Sequence, residues 1–149
     1  MLTKNPGKLI ASLVALFLTI NIVPTQSMGT GNPYQDAQSG LNYVVYQPSY
    51  TSGLVLKSDT LVPSCHKGAT DLFVITYGSG KKFFTLTENS SKNMCVQNMM
   101  LIRGATRTVV IRPGAGGLEG TKLVIISVGV PRVQLNKIFS SMKAKYNGK

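Results

Sequence analysis

Residues 71–88 constrain the fold of this chain more than any other stretch. Residues 71–77 (DLFVITY) and 82–88 (KFFTLTE) are rich in β-branched and aromatic side chains and flank Gly78-Ser79-Gly80-Lys81. Two such runs across a short glycine-bearing link predict a β-hairpin. In an extended chain Leu72 and Val74 face one way while Phe73 and Ile75 face the other. A strand apolar on both sides is covered on both faces or lies at the centre of a sheet. Residues 107–112 (RTVVIR) and 122–128 (KLVIISV) repeat the pattern around a glycine-rich loop and predict a second hairpin. Leu123 and Ile125 oppose Val124 and Ile126 in the same way. Shorter strands are expected at residues 42–46 and 54–58, and another at 94–99. After Pro131, which suits the first turn of a helix, Leu135, Ile138, Phe139, Met142 and Tyr146 fall on one helical stripe. Lys143 and Lys145 then suit the negative end of the helix dipole. The expected fold class is α+β: a mainly antiparallel β-sheet with one C-terminal helix packed on it, plus an N-terminal signal or anchor helix.

That N-terminal segment has its own signature. Lys4 and Lys8 precede an apolar run from Leu9 to Val23, interrupted by Ser12, Thr19 and Asn21. Positive residues followed by an apolar stretch form the order read by the secretory machinery. The run is about 15 residues, short of the roughly 20 that a membrane span needs, which favours a cleaved signal over a retained anchor. Thr25-Gln26-Ser27 supplies small residues near the break at Pro24, and no cysteine follows for lipid attachment. Residues 1–27 are therefore expected to be a signal peptide or membrane anchor. Residues 28–40 (MGTGNPYQDAQSG) show no apolar period and are expected to be a flexible linker. The globular domain is expected over residues 41–149.

Charge narrows the partners. The chain carries 16 Lys and Arg against 5 Asp and Glu, a net charge of +11. Removing Lys4 and Lys8 leaves about +9. An exported protein of this kind meets anionic lipid and wall polymer, not nucleic acid, and long-range attraction would draw it to such surfaces. Lys81, Lys82, Arg103, Arg107, Arg112 and Lys122 fall near predicted hairpin ends and are the candidate anion-binding rim. Basic side chains at sheet margins also guard against aggregation, so the rim has a plain structural alternative. An exported protein partner, on which the domain packs as an assembly component, is the second class of partner.

Residues 43–143 resemble a bacterial extracytoplasmic domain family of unknown function, often found at the C-terminus of membrane-anchored, anti-sigma-like proteins. That family opens with an extended P-x-Y-L-P-x-G motif. Here Pro48-Ser49-Tyr50-Thr51-Ser52-Gly53-Leu54 stands in its place, preceded by Tyr46, with Thr51-Ser52 where Leu-Pro is usual. A strand over residues 120–128 and a short helix over 135–143 are similar to the rest of the pattern. The resemblance implies a sensory, binding or accessory role at the envelope and brings no catalytic residues.

Other chemistry finds little footing. The loop 114–122 (GAGGLEGTK) misses the phosphate-loop spacing and places Thr121 before the lysine. It also runs into a strand, so no helix N-terminus is available to phosphate. His66 is the single histidine, so a zinc site of four Cys or His ligands has too few donors. Neighbouring Cys65 and His66 point apart in an extended chain. Asp71 and Glu88, at opposite ends of the predicted hairpin, could come close and are the carboxyls that a hydrolase would have to use, though they fit better as strand-end polar residues. No cofactor is expected. Cys65 and Cys95 form an isolated pair, and outside the cytoplasm such a pair forms a disulfide. The ~30-residue loop it closes corresponds to about 3–4 kcal/mol in the chain-entropy description. Reduction should therefore lower the urea midpoint by that equivalent; an unchanged midpoint, with two thiols titrating before reduction, would show the pair to be free.

Overall fold

The computed structural model describes residues 31–64, 69–93 and 104–146. Within them lie α1 (Pro33–Gly40), β1 (Tyr46–Pro48), β2 (Val55–Val62), β3 (Leu72–Ser79), β4 (Lys82–Ser90), β5 (Thr106–Arg112), β6 (Thr121–Val128), α2 (Arg132–Ser140) and β7 (Met142–Ala144). A five-stranded antiparallel sheet runs in the order β2-β3-β4-β6-β5, and β1 pairs β7 in a separate ribbon. The fold is α+β with a mostly antiparallel sheet, as the patterning predicts. Both hairpins are present. The link between β3 and β4 is tighter than the four-residue turn expected: Ser79 already pairs with Lys82, leaving Gly80-Lys81 as the turn. Gly80 alone of the two has positive φ, +57°, the pattern of a type II′ hairpin with glycine at its first central position.

Register sorts the strands into two faces. Phe73, Ile75 and Tyr77 of β3 align with Glu88, Leu86 and Phe84 of β4, and these align with Leu123, Ile125 and Ser127 of β6. Their apolar members join Tyr34 and Ala37 of α1 and Leu135, Ile138 and Phe139 of α2 in one buried core. Both helices thus cover the same face. The opposite face carries Val74, Thr76, Thr85, Thr87, Val124, Ile126, Val109 and Ile111.

Two expectations need correction. Residues 33–40, expected as the end of a linker, form α1. The Asn32 side chain accepts the Tyr34 N–H at 3.1 Å, and Pro33 opens the helix, a cap and first-turn residue well suited to their places. Tyr34 and Ala37 are buried, so the folded unit includes this helix and does not begin at Leu41. The C-terminal helix, for its part, ends at Ser140. Ser141 donates its N–H to the Lys137 and Ile138 carbonyls and its hydroxyl to the Ile138 carbonyl. The chain then turns extended, and β7 pairs with β1 while Lys145 donates to the Val45 carbonyl at 2.8 Å. Strand pairing with β1 replaces a further helical turn. Met142 and Tyr146 therefore do not sit on the helix, and Lys143 and Lys145 do not cap it. Residues 1–27, the Cys65–Cys95 pair and the strand expected at 94–99 lie outside the described residues.

Between α1 and the sheet runs a segment with Tyr43, Val44 and Val45 all fully buried. It was expected as a strand over 42–46, but regular pairing starts at Tyr46. Its anchor is the Tyr43 hydroxyl. That group accepts the Phe73 N–H at 3.1 Å and directs its proton towards the carbonyls of Glu88 at 2.9 Å and Asp71 at 3.2 Å. Removing it leaves buried polar groups unpaired, which costs about 1–3 kcal/mol. Tyr43→Phe should lose about that much stability in urea unfolding, with its circular dichroism retained; an unaltered midpoint would show that the junction is held by packing alone.

Candidate functional site

The basic residues of the expected rim do not share one site. Arg107 and Arg112 lie on β5 five positions apart, roughly 17 Å along a strand, and on opposite faces of the sheet by register. Arg112 is half-buried on the helix-bearing face, where its Nη2 donates to the Phe139 carbonyl at 3.2 Å. A cation there complements the C-terminus of α2. Lys122 aligns with Asn89 and Ile111 and donates to the Asn93 carbonyl at 3.2 Å. Both tie secondary structure together. Arg103 lies outside the described residues.

Lys81 and Lys82 sit at the other end of the sheet, in the β3–β4 turn and at the start of β4. Register brings three more elements to this end. Val55 pairs Gly78, and the Lys57 stem lies 3.5 Å from where a Gly78 Cβ would stand. Arg107 aligns with Ile126, near the end of β6. Gly129, just beyond β6, has the Lys82 side chain 3.1 Å from the Cβ position it lacks. Arg132 opens α2 three residues later. Lys57, Lys81, Lys82, Arg107 and Arg132 are all exposed. Val55 and Leu56, next to Lys57 in β2, and Val133, next to Arg132 in the first turn of α2, are exposed aliphatic side chains. Lys57 and Arg132 were missed by sequence reasoning, because register and the path of the chain after β6 bring them here.

The carboxylates are distributed otherwise. All five are among the described residues, and the ion pair there joins Lys92 to Glu119 at 3.1 Å. The Ser90 hydroxyl and then Lys92 hold the Glu119 carboxyl below its ordinary range. Glu119 and Asp71 lie at the end opposite the basic one. Asp59 is on β2 at the register of Ile75, on the helix-bearing side. Among the described residues, the Lys92–Glu119 pair lies away from the basic end, whose exposed cations are Lys57, Lys81, Lys82, Arg107 and Arg132.

Asp71 and Glu88 do not form a facing pair open to substrate. The Glu88 side chain is sealed in the core, its Oε2 accepting the Tyr46 N–H at 2.8 Å and its Oε1 without a partner. Burial raises its pKa well above the ordinary carboxyl value, opposed in part by the Tyr46 hydrogen bond. Nearby, the Tyr34 and Tyr77 hydroxyls share a hydrogen bond of 3.0 Å, and burial raises the pKa of both. Two shallow surface hollows are lined by Tyr50, Val133, Asn136 and Lys137 in one case and by Gln35, Gln38 and Tyr146 in the other; neither contains a carboxylate.

The glycine-rich loop is a packing device. Glu119 donates its N–H to the Asn42 carbonyl and accepts the Val44 N–H, while Ser91 donates to the Gly120 carbonyl at 2.7 Å. A Cβ at Gly120 would stand 2.7 Å from the Arg112 carbonyl oxygen. Glycine serves close backbone approach at this point, and the Glu119 N–H that a phosphate would seek is already used. Among the described residues no three His, Cys, Asp or Glu side chains gather to hold a metal.

No family model, curated protein or solved structure matches this chain.

Glu88 generates a pH prediction. With its folded pKa raised above the unfolded value, the native state retains a proton that the unfolded chain releases. Stability should then fall as pH rises from the ordinary carboxyl value towards the folded pKa, by at most about 1.4 kcal/mol per pH unit. Glu88→Gln keeps an acceptor for Tyr46 and should flatten that slope in urea unfolding followed across the acid-to-neutral range. Parallel pH profiles for variant and parent would rule out Glu88 as the source.

Proposed function

We propose that this chain is an exported, non-catalytic cell-envelope protein that holds to anionic lipid surfaces in an accessory or sensory role. Export is supported by the lysines and apolar run of residues 1–23. The envelope setting is supported by the resemblance of residues 43–143 to a bacterial extracytoplasmic domain family. The observation that carries the binding reading is the basic end of the sheet, where exposed Lys57, Lys81, Lys82, Arg107 and Arg132 extend from the β2 edge to the β5 edge, with exposed Val55 and Leu56 next to Lys57 in β2 and exposed Val133 next to Arg132 in α2. Cations contribute about 1 kcal/mol each beside an anionic leaflet. Aliphatic side chains add apolar burial at the headgroup boundary. A soluble wall polymer would use the cations and leave the aliphatic groups in water, so the mixture favours lipid.

A second reading, a structural or assembly component that packs on an exported protein partner, is favoured by a separate feature. Val109 and Ile111, on the face away from the helices, remain 47% and 65% exposed.

Vesicle co-sedimentation tests the lipid reading. The chain should bind phosphatidylglycerol vesicles more tightly than phosphatidylcholine vesicles, the neutral vesicles accounting for insertion of the N-terminal segment. Lys81→Ala with Lys82→Ala should reduce the anionic preference about 30-fold, from two losses of about 1 kcal/mol, and added salt should reduce it further. Equal binding to both vesicles would overturn the reading. Binding to a soluble polyol-phosphate polymer in preference to the vesicles would assign the surface to wall polymer instead.

A further inference from the structure

The two edges of the five-stranded sheet are built differently. β2 is blunted: its register with β3 slips between Leu56 and Ser58, which places Lys57 in an irregularity, and Asp59 occupies a helix-side position opposite Ile75. Bulges, lysines and charges turned inward are the devices by which natural sheets prevent edge pairing. β5 has none of them between its terminal arginines. Its register with β6 is unbroken over Thr106–Arg112. It contains no proline, and Thr108, Val109, Val110 and Ile111 are all β-branched. Val109 and Ile111 are exposed, and among the described residues the strand lies at the end of the sheet order with one side towards β6.

We infer that the β5 edge pairs with a second copy of this chain, antiparallel about a two-fold axis through Val109. The sequence of β5 is complementary to itself in that register. A continuous sheet requires residues on the same face to stand opposite one another, so the register must pair odd positions with odd positions and even with even. Centring on Val109 sets Val109 against Val109, Thr108 against Val110, Arg107 against Ile111 and Thr106 against Arg112. No arginine faces an arginine. The Arg107 stem covers the Ile111 side chain of the partner, which is the most exposed aliphatic group of the strand, and main-chain hydrogen bonds supply the affinity. A two-fold axis makes the contact closed and isologous, so pairing stops at the dimer. Each copy carries a net charge of +11, so salt should strengthen this association while it weakens binding to anionic surfaces. The antiparallel arrangement also points the two basic ends in opposite directions, so self-association is read without lipid.

The test is sedimentation of the full-length chain in a non-ionic detergent at low and high salt, together with site-directed cross-linking. The weight-average mass should rise towards the dimer with concentration, more so at high salt, and Ile111→Lys should return it to the monomer. Across an antiparallel pair, facing Cα atoms are about 4.5–5.5 Å apart, within the span of a disulfide. Val109→Cys should therefore form an inter-chain link under mild oxidation, located by mass spectrometry as a 109–109 peptide. Ile111→Cys should not link to itself, because its twin lies four residues along, about 13 Å away. A monomer at every concentration and salt level, or cross-linking at position 111 as ready as at 109, would overturn the proposal. If Val109→Cys loses its circular dichroism spectrum, the parent chain's sedimentation and the Ile111→Lys variant decide.

Discussion

The hydroxyl of Tyr43 is the interaction on which the rest of this structure depends. It is fully buried and meets the Phe73 N–H and the Glu88 and Asp71 carbonyls at once. In doing so it fixes the segment after α1 against the β3–β4 hairpin. Val45 then accepts its place from α1, since the Gln38 side chain receives the Val45 N–H and donates to the Tyr43 carbonyl. From there the chain reaches β1, β1 pairs β7, and that pairing decides where α2 must end. The phenol thus ties the segment after α1 to the β3–β4 hairpin, and leaving its buried partners without it would cost about 1–3 kcal/mol.

Burying a tyrosine junction has a consequence at Glu88. Its backbone carbonyl serves Tyr43 while its side chain turns into the core and gives one oxygen to the Tyr46 N–H. The core therefore contains a carboxyl that is stable there in its neutral form. Charge at the two ends of the five-stranded sheet is distributed unequally. The end with Lys92 and Lys122 also holds Asp71 and Glu119 and is largely self-satisfied. The end with the β3–β4 turn carries exposed cations and exposed aliphatic side chains. This polarity supports the reading of an envelope protein that engages an anionic surface with one end, while β5, at the sheet margin, is available to a second copy.

Hairpins were legible because their signals are local. Residues 71–77 and 82–88, and 107–112 and 122–128, carry the alternation and turn residues that place strands side by side. α1 was harder to see. Its apolar residues are few, although Asn32-Pro33 followed by Tyr34, Ala37 and Leu41 is a faint cap and stripe. The end of α2 was not legible, since Leu135 to Tyr146 keeps a helical period and only the distant β1 competes for Met142–Ala144. At the surface, Lys81 and Lys82 could be identified as turn residues. Grouping Arg112 and Lys122 with them failed, because both occupy the far end of their strands and spend their donors on backbone carbonyls.

The sequence by itself determined the class of the fold, the positions of the central hairpins, the excess of positive charge and the export-like order of the N-terminus. All of these depend on composition or on neighbours a few residues apart. Tertiary structure decided which cations stand together, which edge of the sheet is blunted, and that Glu88 is buried while Asp71 is not. Those outcomes rest on strand register, where a shift of one residue exchanges the two faces of the sheet. No local pattern in Lys57, Arg107 or Arg132 states that register and the path of the chain will bring them to the same end of the sheet as the turn between β3 and β4.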